Sequence, residues 1–220
     1  GAATDARATP SVGREDVTIH HSAPPPPQEV SGTRSRILDA AERLFRHYGY
    51  DKTTVADLAR ELGMSSANVY RFFGSKLEIV EAIAVRMFEE RDRVNQAILR
   101  GEGTPSERLM RFFVENHRLS VETWTEERKV HDIVEIAMTE NWAAIDGYLT
   151  RFTDVIEDLI RQGNACGEFA VDDTRRAAVC AFQAFASLIH PTLIVHCADD
   201  KEKAEADELA AFIIRSLRCR

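Results

Sequence analysis

No run of apolar residues in this chain approaches the roughly 20 needed to cross a bilayer, and no basic stretch followed by an apolar one stands near its start. The expectation is a chain with no membrane span and no secretory leader, located in the cytoplasm. Cysteine is scarce: Cys166, Cys180, Cys197 and Cys219 share no C-x-x-C spacing. In a reducing compartment they are expected as thiols rather than as two disulfides. Cys180, set among alanines and Phe182, is expected as a small core residue. Catalytic signatures are missing as well. There is no G-x-S-x-G elbow, no phosphate-cradling Walker loop, no H-E-x-x-H and no pair of carboxylates in a recognisable frame. Nor is there an excess of positive charge: the net is −8, which taken alone argues against a polyanionic partner.

What is present narrows the field further. At 220 residues the chain can bury one good core or two small ones. Its 44% apolar and 29% charged content is that of ordinary soluble globular proteins. The charge is unevenly spread. From Thr33 to Glu78 there are eight Lys/Arg and six Asp/Glu, a net of +2, so the remainder carries −10. The one net-positive block can face a polyanion while the acidic remainder stays away from it. A margin of +2 is small, so affinity must come from a few placed contacts and from dimerisation.

That block holds the stretch around which the chain is organised, Thr54 to Lys76. Val55, Leu58, Ala59 and Leu62 recur at i, i+3, i+4 and i+7, one apolar face of a short helix. Thr54 stands at its cap position. Gly63 ends it with the left-handed conformation that a tight reversal needs. Ser65 can then cap a second short helix that turns Val69, Phe72 and Phe73 inward. Two short helices joined by a glycine turn make a helix-turn-helix, whose second helix lies in the DNA major groove. Ser65, Ser66, Ala67 and Asn68 are small or short-polar and allow close approach, with Asn68 able to bond a base edge. Tyr70, Arg71 and Lys76 can reach phosphates, and the helix start attracts anions. Periodicity alone leaves a second reading open: a plain αα-hairpin in which Gly63 is only a turn and Tyr70 is core.

The run from Arg34 to about Glu81 resembles the N-terminal domain of the TetR/AcrR family of transcriptional regulators. The residues that carry it are the apolar first helix from Ile37, the G-Y-x-x-T-T run from Gly49, the L-x-x-x-L-G-M-S turn from Leu58, the Y-x-x-F box from Tyr70, and Lys76 opening a fourth helix. One departure is visible. Ala67-Asn68 stands where many relatives carry Gly-Thr, which alters the reading surface but not the fold. The resemblance implies an all-α protein of about nine helices. A three-helix helix-turn-helix DNA-binding domain (33–78) would precede a helical ligand-binding and dimerisation domain (79–220). Its DNA contacts would be Arg34, Thr54, Ser65, Ser66, Ala67, Asn68, Tyr70, Arg71 and Lys76. Charge reversal at Lys76 would then weaken DNA binding uniformly and leave folding alone.

Residues 1–32 contain few large apolar groups and a run of four prolines, Pro24 to Pro27, a composition expected to stay disordered. The first helix is expected from about Thr33 to Tyr48, with Ile37, Ala40, Ala41, Leu44, Phe45 and Tyr48 inward. A long fourth helix follows from Lys76 to about Arg100, and the resemblance implies that it carries ligand-driven motion to the DNA-binding head. After a break at Gly101 to Pro105, helices are expected at about 106–126, 128–140, 142–163 (ended by Gly163), 173–195 and 203–218. Asp172 or Asp173 should cap the fourth of these, and Pro191 should kink or restart it near His190. That helix is apolar nearly all round, so it must be covered on every side. With the final helix it predicts a two-fold homodimer interface.

The resemblance also implies a small-molecule effector held between helices of the second domain. Candidate lining residues are Phe112, Phe113, His117 and Trp124; Ile133, Ile136 and Trp142; and Tyr148, Phe152, Phe182 and Phe185. Aromatic walls with a few polar groups suit an apolar or aromatic molecule, while the same residues can equally fill a core. No cofactor and no structural metal is expected. His131 with Glu135, and His190 with His196 and Cys197, keep a metal-responsive variant of the same fold open. A helical enzyme using His117 near Glu115 or Glu122 is the remaining alternative. The function expected is a ligand-responsive repressor binding a pseudo-palindromic double-stranded operator as a dimer, with no membrane partner.

Overall fold

The computed structural model describes residues 27–125, 139, 142–196 and 203–218. These form helices and no strand: α1 (Pro27–Tyr48), α2 (Val55–Glu61), α3 (Ser66–Tyr70), α4 (Lys76–Arg100), α5 (Pro105–Thr125), α6 (Trp142–Cys166), α7 (Thr174–Phe185), α8 (Pro191–His196) and α9 (Ala206–Leu217). The expected helix at 128–140, the tail up to residue 26, Cys197 and Cys219 lie outside the described residues. None of the described helices is long and apolar enough to cross a membrane.

The head is built by local chemistry. Thr54 and Asp57 form a reciprocal capping box at the start of α2, with the Asp57 amide donating to Thr54 Oγ1 at 3.2 Å and the Thr54 amide to Asp57 Oδ2 at 2.9 Å. Gly63, at φ +65°, closes α2. Its amide donates to the Arg60 carbonyl and the Met64 amide to the Ala59 carbonyl, so two free carbonyls are satisfied in one reversal. Ser65 and Ser75 cap α3 and α4 through the amides of Asn68 and Glu78. Around this frame Ile37, Ala41, Phe45, Leu58, Val69, Phe73, Ile79 and Ile83 form a first core.

A second core fills the body, where α6 packs on α4, α5 and α7, and α9 lies against α5 and α7. Its centre is aromatic: Phe112 meets Phe152 at 4.6 Å, and Phe113 meets Phe185 at 4.5 Å. Helix α4 serves both cores. Its first turns, through Ala84, belong to the head, Asn95 and Ile98 belong to the body, and Phe88 packs against each.

Several expectations are corrected. Helix α1 starts at Pro27, so residues 27–32 are helical rather than part of a disordered tail, as suits a proline in a first turn. Tyr48 is 54% exposed instead of inward. Gly163 does not end α6. The helix runs to Cys166, and Gly167, at φ +82°, makes the reversal, with its amide on the Asn164 carbonyl and that of Glu168 on the Gly163 carbonyl. Cys180 is exposed, because α7 turns that side away from the body. The helix expected at 173–195 breaks already after Phe185 but restarts at Pro191, as expected near His190. Helix α7 ends at Phe185, a 3-10 turn spans Ala186–Leu188, and α8 restarts at Pro191, where the missing N–H costs nothing. Asp173 is the residue that caps α7, accepting from the Arg176 amide at 2.8 Å.

Candidate nucleic-acid interface and body cavity

The candidate DNA residues divide into two groups. Ser65, Ala67, Tyr70 and Arg71 are exposed along the outer side of α3, and Ser66 and Asn68 are half-buried beside them. Val69 and Phe73 point into the core. Tyr70 is 52% exposed, which removes the hairpin reading in which it was core. Thr54 is exposed too, but its hydroxyl is bonded to Asp57, whose carboxyl those bonds hold below the usual carboxylate range.

Arg34 and Lys76 do structural work in addition. Arg34 Nη1 donates to the Phe72 carbonyl at 2.9 Å, and its guanidinium lies 4.1 Å from the Phe73 ring centre. The arginine therefore clamps the end of α3 onto α1. Lys76 Nζ donates to the carbonyls of Tyr50 and Thr53 at 2.8 and 3.0 Å and sits 3.8 Å from the Tyr50 ring centre. Burial holds its pKa below that of a free lysine, against the opposing pull of Asp51. The expectation that charge reversal here leaves folding alone is therefore corrected. A carboxylate at position 76 would face two carbonyl oxygens. Even Lys76→Met is expected to destabilise the head by about 1–2 kcal/mol, since two half-buried carbonyls lose a charged donor and the ring loses its cation. Unchanged denaturation of that variant would show that the lysine serves DNA alone.

The body holds a partly open cavity of about 200 Å³ between α4, α5, α6 and the α7–α8 junction. Of the candidate effector residues, Tyr148, Phe152 and Phe182 line it. Phe112, Phe113 and Phe185 are fully buried and stand behind that wall as packing. His117 is drawn away, its Nδ1 2.6 Å from the Leu188 carbonyl. Ile133 and Ile136, and the side chains of Trp124 and Trp142, lie outside the described residues, as do His131, Glu135 and the His196 side chain. Among the described residues no three His, Cys, Asp or Glu side chains converge to hold a metal.

Sequence reasoning missed the polar part of the wall. Arg91 from α4, Asn116 and Ser120 from α5 and His190 near the restart supply it, and Phe88, Ile145, Leu149, Ala186, Ile189 and Pro191 make up the rest of the wall. The available signal was Asn116 and Ser120, two polar residues at i and i+4 interrupting the apolar face of Phe112 and Phe113. Arg91 ties α4 to α5, donating to Ser120 Oγ, the Leu119 carbonyl and Thr123 Oγ1 at 3.0–3.1 Å. It also borders a cleft that Glu42 and Arg46 of α1 share.

Comparison with known proteins places this geometry. Residues 37–83 match the family model "Bacterial regulatory proteins, tetR family", and residues 105–210 match "Tetracyclin repressor-like, C-terminal domain". The HTH-type transcriptional regulator TtgR of Pseudomonas putida is 27% identical over 179 residues, 76% of this chain and 83% of its own. A TetR/AcrR-family regulator from Thermobifida fusca superposes with a TM-score of 0.62 at 25% identity, covering 84% of this chain and 96% of its own. A transcriptional regulator from Saccharomonospora viridis, solved in complex with choline, gives 0.59 at 24% identity over 83% and 94% of the two chains.

Proposed function

Because this chain belongs to the TetR family of bacterial regulatory proteins, we propose that it is a cytoplasmic transcriptional repressor. It binds a pseudo-palindromic operator as a homodimer and leaves the DNA when a small molecule enters the body cavity. The observation that carries this reading is the shared helix α4. One end of it supports the reading head and the other lines the cavity, with Phe88 packed against both cores.

Each link has a physical basis. The short side chains at the start of α3 let the head approach a major groove. Arg86 of α4 donates to Asp39 and to Glu42 of α1, each at 2.5 Å, so a shift of α4 is felt by the head. A ligand pressing on Phe88 or Arg91 would favour the arrangement whose two heads no longer match successive grooves. To act as a switch it must bind that arrangement better by about 1–3 kcal/mol. The two-fold contact is read from the outer side of α7 and α9, where Phe212 is 62% exposed beside Cys180, Ala177 and Ala184.

Genomic footprinting gives the operator, and two variants then test the head. Arg71→Ala is expected to weaken all DNA sequences alike and lower the salt dependence by about one phosphate contact. Asn68→Ala is expected to lose about 1–3 kcal/mol of discrimination at a single base-pair position per half-site. If both variants lower affinity equally for operator and random DNA, α3 does not read bases and the assignment of the head fails.

A further inference from the structure

Granted that the head binds duplex DNA, the outward line of α3 says which base feature it meets. Successive residues of a helix are turned by about 100°. Ala67 therefore stands about 200° from Val69, which is 0% exposed in the core of the head. Of the residues of α3 it points most nearly straight out, and it is exposed. Arg71 shares its line one turn later, with its amide on the Ala67 carbonyl at 3.2 Å. The polar neighbours are turned to the needs of the head itself. Ser65 Oγ accepts from the Asn68 amide at 3.2 Å. Asn68 is half-buried and sends its Nδ2 towards Met64 Sδ, 3.8 Å away. Ser66 is half-buried as well. The leading group is a methyl.

A methyl neither donates nor accepts a hydrogen bond. Pressed against a base edge that does, it strips that edge of water and gives no bond in return. In the major groove one base carries an apolar group of its own: thymine, with its C5-methyl. We infer that Ala67 reads a thymine methyl, so that each operator half-site carries a T·A pair opposite the outward line of α3. The contact is methyl against methyl, and it fixes the strand. A reversed pair would present adenine N7 and the N6 amino group there, and Ala67 can bond neither.

The operator that footprinting yields supplies the test, with the full chain as binder. Each thymine is replaced in turn, in both half-sites at once, by deoxyuridine, which lacks only the methyl. One position is expected to weaken binding about fourfold per half-site, the value of one buried methyl group. Replacing that T·A pair by C·G should weaken binding further, and 5-methylcytosine in the same place should recover about fourfold. Ala67→Gly should bind the thymine and deoxyuridine operators alike at that position and keep its response elsewhere. The deoxyuridine scan needs no variant, so the test stands even if Ala67→Gly does not fold. Equal binding of every deoxyuridine operator overturns the assignment while the DNA reading stands. So does an Ala67→Gly protein that still prefers thymine at the sensitive position. If the chain holds its operator no better than random duplex, the DNA reading fails and the thymine contact falls with it.

Discussion

Replacing Gly163 with alanine is expected to destabilise the body by about 3 kcal/mol, and in a background lacking the Phe169 ring the same change is expected to stabilise it. Gly163 is inside α6, where alanine ordinarily gains about 1 kcal/mol over glycine. A Cβ at this position would stand 2.0 Å from Phe169 Cδ2, 2.5 Å from Cε2 and 2.8 Å from Cγ. Carbon atoms in contact sit at about 3.5–4.0 Å. The ring cannot easily withdraw. It is 4% exposed, its own amide donates to the Gly163 carbonyl at 3.1 Å, and the next residue, Ala170, is tied to the Leu217 carbonyl at 3.0 Å. Overpacking of this kind costs about 1–3 kcal/mol, and the depth of the overlap places it at the upper end.

The double-mutant cycle gives the test its sign. Phe169→Ala alone should cost about 3–5 kcal/mol as a large-to-small core change. Adding Gly163→Ala should then recover about 1 kcal/mol, because the clash is gone and the helix propensity remains. Equilibrium denaturation at a fixed protein concentration reads both numbers. Equal destabilisation in the two backgrounds would mean that the close approach of ring and backbone is not why glycine is there.

The same glycine shows where sequence reading stops. In the head, the caps and the turn of α2 and α3 close within a few residues: Thr54 to Asp57, Met64 to Ala59, Asn68 to Ser65. Caps and turns of that range leave a local signature, so α2, the turn and α3 were legible with their outward residues. Gly163 looks locally like a helix terminator. Only the fold-back of Phe169 onto it shows that it serves contact, while Gly167 makes the turn. The cavity is a longer-range matter still. Arg91 and Ser120 are 29 residues apart, and Arg91 and Asn116 meet at one cavity only because α4 and α5 pack together. Phe112 and Phe152 share the same composition and periodicity, yet one is packing and the other wall. Cys180 was misplaced for a related reason: an apolar helix shows that it must be covered, but not whether its own chain does the covering.

Replacing Phe212 with aspartate is expected to convert the protein to single chains and to lower operator affinity about a thousandfold or more, the largest effect on function anticipated for a single surface substitution. Phe212 is 62% exposed on α9 and borders a shallow apolar groove with Ala177, Cys180 and Ala184 of α7. Its removal opens no hole in the chain's own core, so helicity should be unchanged. In the proposed two-fold contact a charge at this position would have to be stripped of water, so association would lose both burial and electrostatics. Without the second copy each head binds alone. In the proposed dimer the second head would be presented at an effective concentration in the millimolar range, an avidity gain of about 10²–10⁴-fold. Sedimentation and operator titration should therefore change together, while affinity for an isolated half-site stays as it was. A variant that remains dimeric would place the interface elsewhere on the body. A variant that sediments as one chain and still holds the full operator as tightly would show that one head suffices, and the two-fold reading of the operator would be wrong.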